Sequence, residues 1–169
     1  MDVTEAIETR IELREFADES VEDDVKRAML DAGRLAPSGK NLQHWRFILV
    51  DDDATVDELG SRSPSGGWVS NADFAIAICT DPTYEYNEID AGRAATHIQL
   101  VGWEHGVGSR LYTVDQPSVR ELLAIPAEFE LTLVLGCGYP TREILGRKDR
   151  EPLGEIAYRN RFGVAVDFE

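Results

Sequence analysis

The sequence predicts a mixed α and β fold, with one sheet carrying helices on both faces. Three observations lead there. Short apolar runs at Trp45–Val50, Phe74–Cys79 and Glu130–Leu135 read as strands, and stretches of helical spacing separate them. None of the apolar runs approaches the ~20 residues of a membrane helix. No Gly-x-Gly-x-x-Gly follows the first strand, so the competing doubly wound fold has no dinucleotide-binding support. At 169 residues and 43% hydrophobic, without repeat or linker, the chain reads as one domain over residues 1–169.

Each element has a local cause. Val3, Ala6, Ile7 and Arg10 suggest a short first helix. For the second, Ser20 is the expected cap, and Glu22, Asp23 and Asp24 crowd the first turn. Its apolar stripe is Val25, Met29, Ala32 and Ala36, and Pro37 ends it. Asp51-Asp52-Asp53 reads as an acidic turn after the first strand, and residues 60–67 as a mobile Ser/Gly/Pro loop. A third helix over about 89–105 repeats Ala91, Ala94, Ala95, Ile98 and Val101, and Gly106-Val107-Gly108 stops it. Residues 109–112 form a candidate strand, and Asp115 caps a short helix that ends before Pro126. The tail over 163–168 has strand character with nothing after it to pack on. An exposed apolar strand is a liability, which predicts a dimer arm.

The net charge is -15, which argues against nucleic acid, because a phosphate backbone needs a basic face. Only Lys26, Lys40 and Lys148 are lysines; arginine supplies the other cations. An acid-rich, lysine-poor surface suits a halophilic source, where salt near 1 M shortens the screening length to ~3 Å and removes self-repulsion. The acidic N-terminus carries no signal-peptide pattern, which predicts a cytoplasmic protein. Cys79 and Cys137 lie far apart in apolar runs, and predict buried thiols rather than a metal site.

Two motifs carry the functional reading. Arg10 and Arg14, four residues apart, share a face and can clamp a phosphate dianion; the competing reading is local ion pairing with Glu12 and Glu15. In Ala36-Pro37-Ser38-Gly39-Lys40-Asn41-Leu42-Gln43-His44-Trp45, small residues let backbone approach a planar ligand. The amides of Asn41 and Gln43 match the donor and acceptor pattern of a uracil-like ring edge.

These stretches resemble the nitroreductase family. Thr9-Arg10-Ile11-Glu12-Leu13-Arg14-Glu15-Phe16 is similar to its Arg-Arg-Ser-hydrophobic-Arg-x-Phe opening, and 36–45 to its Ala-Pro-Ser-x-x-Asn-x-Gln-Pro-Trp loop. Gly138-Tyr139-Pro140 followed by Arg147-Lys148-Asp149-Arg150-Glu151-Pro152-Leu153 is similar to its closing segment. The resemblance implies an α+β, three-layer α-β-α sandwich. Its mixed, mostly antiparallel sheet would have the C-terminal strand exchanged in a homodimer. It implies FMN at the interface, reduced by NAD(P)H, with electrons passed by a ping-pong mechanism to nitroaromatics, quinones or another small-molecule acceptor. Reductive dehalogenation, enone reduction or flavin storage without turnover are the alternatives. Carried over by motif, Arg10, Arg14, Lys148 and Arg150 hold the phosphate. Pro37, Ser38 and Asn41 approach the flavin from the other subunit, and Gly108 and Ser109 present backbone near the ring. No residue is assigned as catalytic and none as a metal ligand, because the cofactor carries the chemistry.

This chain departs from the family at two positions. Glu12 stands where serine is usual and is left out of the ligand set, since an acid beside a dianion is unfavourable. His44 replaces a proline and is expected to be a solvent-exposed loop imidazole. Short stretches at 61–67 and 81–87 leave little room for lid helices, which implies an open pocket.

Overall fold

The computed structural model describes residues 1–64, 67–112, 114, 116–144 and 148–166. Its elements are α1 (Val3–Thr9), α2 (Asp23–Arg34), β1 (Trp45–Val50), α3 (Asp53–Ser61), β2 (Phe74–Thr80), α4 (Asn87–Glu104), β3 (Gly108–Tyr112), α5 (Gln116–Leu122), β4 (Glu130–Gly138) and α6 (Leu153–Ile156).

The strands form one sheet in the order β1-β2-β4-β3, each neighbouring pair antiparallel. A parallel bridge between Glu12 and Ser109 adds a short piece beside β3, which makes the sheet mixed. Antiparallel pairing excludes the doubly wound alternative, which needs parallel strands joined by crossover helices.

Alternation along the strands builds two cores. In β2, Ala75, Ala77 and Cys79 join a cluster with Val56, Leu59 and Val119, the layer of α3 and α5. Phe74, Ile76 and Ile78 join Met29, Ala94 and Ile98, the layer of α2 and α4. All seven β2 residues are buried, so this strand is the centre of the sandwich. Each fully buried Ile or Phe there contributes about 1.5–3 kcal/mol of transfer free energy. Helices α2 and α4 lie close because Gly33 has no side chain: a Cβ there would meet Ile98 Cδ1 at 2.8 Å. Both thiols are buried and free, and burial pushes that of Cys79 up to about 11.

Three expectations are corrected. Helix α2 starts at Asp23 with Glu22, not Ser20, in the capping position, and no side chain caps it. The Glu22 carboxylate instead accepts a hydrogen bond from Tyr139 Oη at 2.7 Å, while Asp23 and Asp24 complement the dipole. The acidic turn continues into α3, because Asp52 accepts from the Thr55 amide at 2.9 Å and caps a helix. Gly60 therefore closes that helix rather than opening a loop; residues 65 and 66 lie outside the described set. Lys26, on the buried face of α2, lies 3.5 Å from Asp51 and 3.9 Å from Asp73, with its amine above the Phe74 ring.

The expected Asp115 cap lies outside the described residues. Of the tail strand, Ala165 makes one antiparallel bridge to Tyr158, and residues 167–169 lie outside the described set. Among the described residues no helix is long and apolar enough to cross a membrane.

Candidate functional site

The expected site residues fall into two groups at opposite ends of α4. The first gathers where α1 ends. Trp103 Nε1 donates to Thr9 Oγ1 at 2.9 Å and pins α1 to the last turn of α4. The chain then leaves the helix at Arg10 and runs beside β3, where the Leu13 amide donates to the Ser109 carbonyl at 3.2 Å. Glu12 turns inward. Its Oε1 accepts from Arg10 Nη1 at 2.7 Å and from Gln99 Nε2 at 3.1 Å, and its Oε2 from the Leu111 amide at 3.0 Å. Gln99 Nε2 also lies 3.2 Å from the buried Ser109 hydroxyl. The carboxylate is thus consumed in joining α1, α4 and β3, which explains how an acid is tolerated here. The local ion pairing weighed for Arg10 is present, with Glu12 as its partner; Arg14 is exposed and forms no ion pair among the described residues.

The C-terminal segment returns to this point. Lys148 Nζ donates to the Ile7 carbonyl at the end of α1. Burial, then the charges of Arg10 and Arg150, hold the Lys148 amine below its ordinary value of 10.5. Lys148 therefore feels both guanidinium groups, in a chain whose net charge is -15. An anion placed among them would relieve that repulsion. Guanidinium forks with an ammonium are the donor set that suits a phosphate dianion. Gly108 and Ser109 belong to the same corner; Arg147 lies outside the described residues.

The second group is the loop from Pro37 to His44, at the start of α4. From Asp90 to Gln99 the helix axis covers about 14 Å at the usual rise. One copy of the chain thus keeps Pro37, Ser38 and Asn41 away from its own cation cluster. Ser38 Oγ accepts from the Gln43 amide at 3.0 Å, and residues 39–41 make a 3-10 turn. Lys40, Asn41 and Gln43 have φ of 51°, 57° and 49°. The left-handed region costs an L-residue about 1–2 kcal/mol, so this loop is strained and must be held. Asn41 is exposed with its side-chain amide outward, whereas Gln43 Nε2 is turned back on the Asn41 carbonyl at 3.3 Å.

His44 corrects the sequence expectation. Its side chain is only 2% exposed, and Nε2 lies 3.2 Å from Asp90 Oδ2, itself equally buried. The same oxygen accepts from the Gly39 amide at 2.8 Å, and Arg93 Nη1 lies 3.2 Å from Asp90 Oδ1. The imidazole packs between the Tyr84 ring at 5.3 Å and the Trp45 ring at 5.8 Å, and Nδ1 has no hydrogen-bond partner among the described residues. A cavity of about 300 Å³ lined by Lys40, Leu42, His44, Tyr84, Tyr86 and Asp90 opens beside the loop. A larger groove of about 450 Å³ runs past Asp18, Glu19, Asp53, Asp57 and Asp73, and its carboxylates make it a poor home for an anion.

With this geometry in place, comparison with known proteins is informative. The model of the Nitroreductase family matches residues 7–77, which hold both the arginine pair and the loop. The chain is 32% identical over 147 residues to an Archaeoglobus fulgidus protein named as an NADH dehydrogenase/NAD(P)H nitroreductase, covering 81% of this chain and 84% of that one. An FMN-dependent nitroreductase from Clostridium difficile R20291 superposes with a TM-score of 0.86 at 29% identity, over 93% of this chain and 98% of that one. A Bacteroides thetaiotaomicron protein named for NADH dehydrogenase/NAD(P)H nitroreductase gives 0.87 at 27% identity, over 94% and 97%. The chain belongs to the nitroreductase family, and its fold is that family's α+β sandwich.

Proposed function

We propose that this chain is an FMN-dependent, NAD(P)H-linked oxidoreductase that works as a homodimer, one domain of each copy supplying half of each site. The observation that supports the reading best is the contact of Lys148 Nζ with the Ile7 carbonyl, which brings the C-terminal segment that carries Lys148 and Arg150 back to the end of α1, where Arg10 lies. In this reading those three cations and Arg14 hold the phosphate, and the backbone at Gly108 and Ser109 borders the flavin ring. Pro37, Ser38 and Asn41 come from the second copy, whose loop a two-fold axis can bring to the first copy's cation cluster. The FMN-dependent relative from Clostridium difficile supports the cofactor, and the Archaeoglobus relative's name supports the donor.

Surface composition supports the dimer. Val3 and Ile7 on α1, Ile89 on α4 and Leu42 in the loop are exposed, and Phe162 in the tail is 90% exposed. These are the apolar side chains that the proposed dimer would cover. The segment beyond α6 is the arm that reaches across.

Bound FMN supplies the redox chemistry, taking hydride from NAD(P)H and then passing electrons to an electron-poor acceptor such as a nitroaromatic or quinone in a ping-pong sequence. The chain's own task is positional and electrostatic. It neutralises the phosphate with its cations and shapes backbone against the ring, where N–H donors would stabilise the negative charge that reduction brings.

Anaerobic rapid mixing of the FMN-loaded protein with NADH or NADPH tests the function. Loss of the visible flavin band within the mixing experiment, and its return on adding a quinone, is the expected result. A yellow protein that neither nicotinamide bleaches would support flavin storage instead.

A further inference from the structure

We propose that His44 and Asp90 are positioning residues that hold the flavin-facing loop in its left-handed conformation. The inference rests on the assignment of that loop to flavin binding. Lys40 and Gln43 have no intrinsic preference for positive φ, and of the three left-handed residues only Asn41 adopts it readily. Such a run persists only where its surroundings over-determine it.

One carboxylate oxygen does this. Asp90 Oδ2 accepts from the Gly39 amide at 2.8 Å and from His44 Nε2 at 3.2 Å, so both ends of the strained segment are tied to the same atom. The atom is itself fixed, because Asp90 lies in the first turn of α4, where its amide donates to the Tyr86 carbonyl at 3.0 Å. Among the described residues His44 Nδ1 has no hydrogen-bond partner, and Tyr84 and Trp45 bracket the ring. A carboxylate can only accept, so Nε2 is the ring nitrogen that donates to Asp90. Ser38 Oγ to the Gln43 amide is a cross-link inside the loop and does not anchor it to the body. Without the clamp, Asn41 and the backbone beside it lose the geometry that presents them to a ring.

The test compares FMN and riboflavin, which share the ring and differ in the phosphate. Dissociation constants are measured for the wild type, His44→Phe, Asp90→Leu and Asp90→Asn. His44→Phe keeps the ring stack and removes the bond; it should weaken FMN and riboflavin alike, by about tenfold for a lost charge-assisted hydrogen bond. Asp90→Leu should do the same or more, while Asp90→Asn, which keeps an acceptor oxygen, should stay within a few-fold of wild type. Hydrogen exchange gives a readout independent of turnover: the amides of Gly39 and Gln43 should lose protection in His44→Phe while those of β2 keep it. Wild-type flavin affinity together with unchanged exchange at Gly39 and Gln43 in His44→Phe would overturn the proposal. If Asp90→Leu fails to fold, His44→Phe and Asp90→Asn still decide it. A wild-type protein that binds neither flavin would instead refute the functional reading on which it stands.

Discussion

Lys148 shows how the site works at the scale of one residue. Its ammonium is depressed by partial burial and by two neighbouring guanidinium groups, so the folded chain disfavours its charged form. The sign follows: the penalty is complete at pH below the folded value and is released as pH rises towards 10.5. An anion bound among these cations reverses the shift. Titration of the Lys148 side-chain carbons by NMR should give a value below 10.5 in the flavin-free protein, and inorganic phosphate should raise it; a value that phosphate leaves unmoved would contradict the cluster as an anion site. Spacing alone left Arg10 and Arg14 between a phosphate clamp and local ion pairing, and only motif order pointed to Lys148 and Arg150, since Lys148 meets a carbonyl more than a hundred positions away. His44 was misread because its partner Asp90 is 46 residues distant, and nothing local announces a buried histidine in a polar loop. Lys26 escaped for the same reason.

At the scale of elements, Tyr139 ties the exit of β4 to the start of α2. Its hydroxyl donates to Glu22, which pushes the phenol up to about 12 and holds the carboxyl below its ordinary 4.5. A raised phenol value stabilises the fold fully below pH 10.0, and the contribution is lost as pH passes about 12. On the acid side the depressed Glu22 contributes above pH 4.5 and loses its effect as pH falls through its folded value. Urea midpoints measured across pH should therefore fall less steeply above pH 10 in Tyr139→Phe than in the wild type; superimposable alkaline limbs would count against the bond. The strands were readable because alternation and β-branched content agree. Helix α3 was not, because Val56 and Leu59 alone give too little periodicity, although Asp52 three residues before Thr55 was a usable cap signal. Strand β4 runs past Leu135 to Gly138, which leaves room for Phe16: a Cβ there would meet the Phe16 side chain at 3.1 Å.

At the scale of the molecule, the fold separates the two groups of residues that the proposed dimer would bring together. The loop and the cation corner sit at the two ends of α4, so the architecture became legible only when a family resemblance was laid over patterns that individually had local explanations. Composition argues against a nucleic-acid partner and sets a strongly negative background. Against that background, Arg10, Lys148 and Arg150 are the cations to which the proposed function assigns the phosphate. The most direct measurement is the affinity of Arg150→Ala for FMN and for riboflavin beside that of the wild type. The account predicts a loss of about 1.5–3 kcal/mol for FMN, the worth of a charge-assisted hydrogen bond, and none for riboflavin. Equal FMN affinity in variant and wild type would contradict a phosphate held by cations from both ends of the chain.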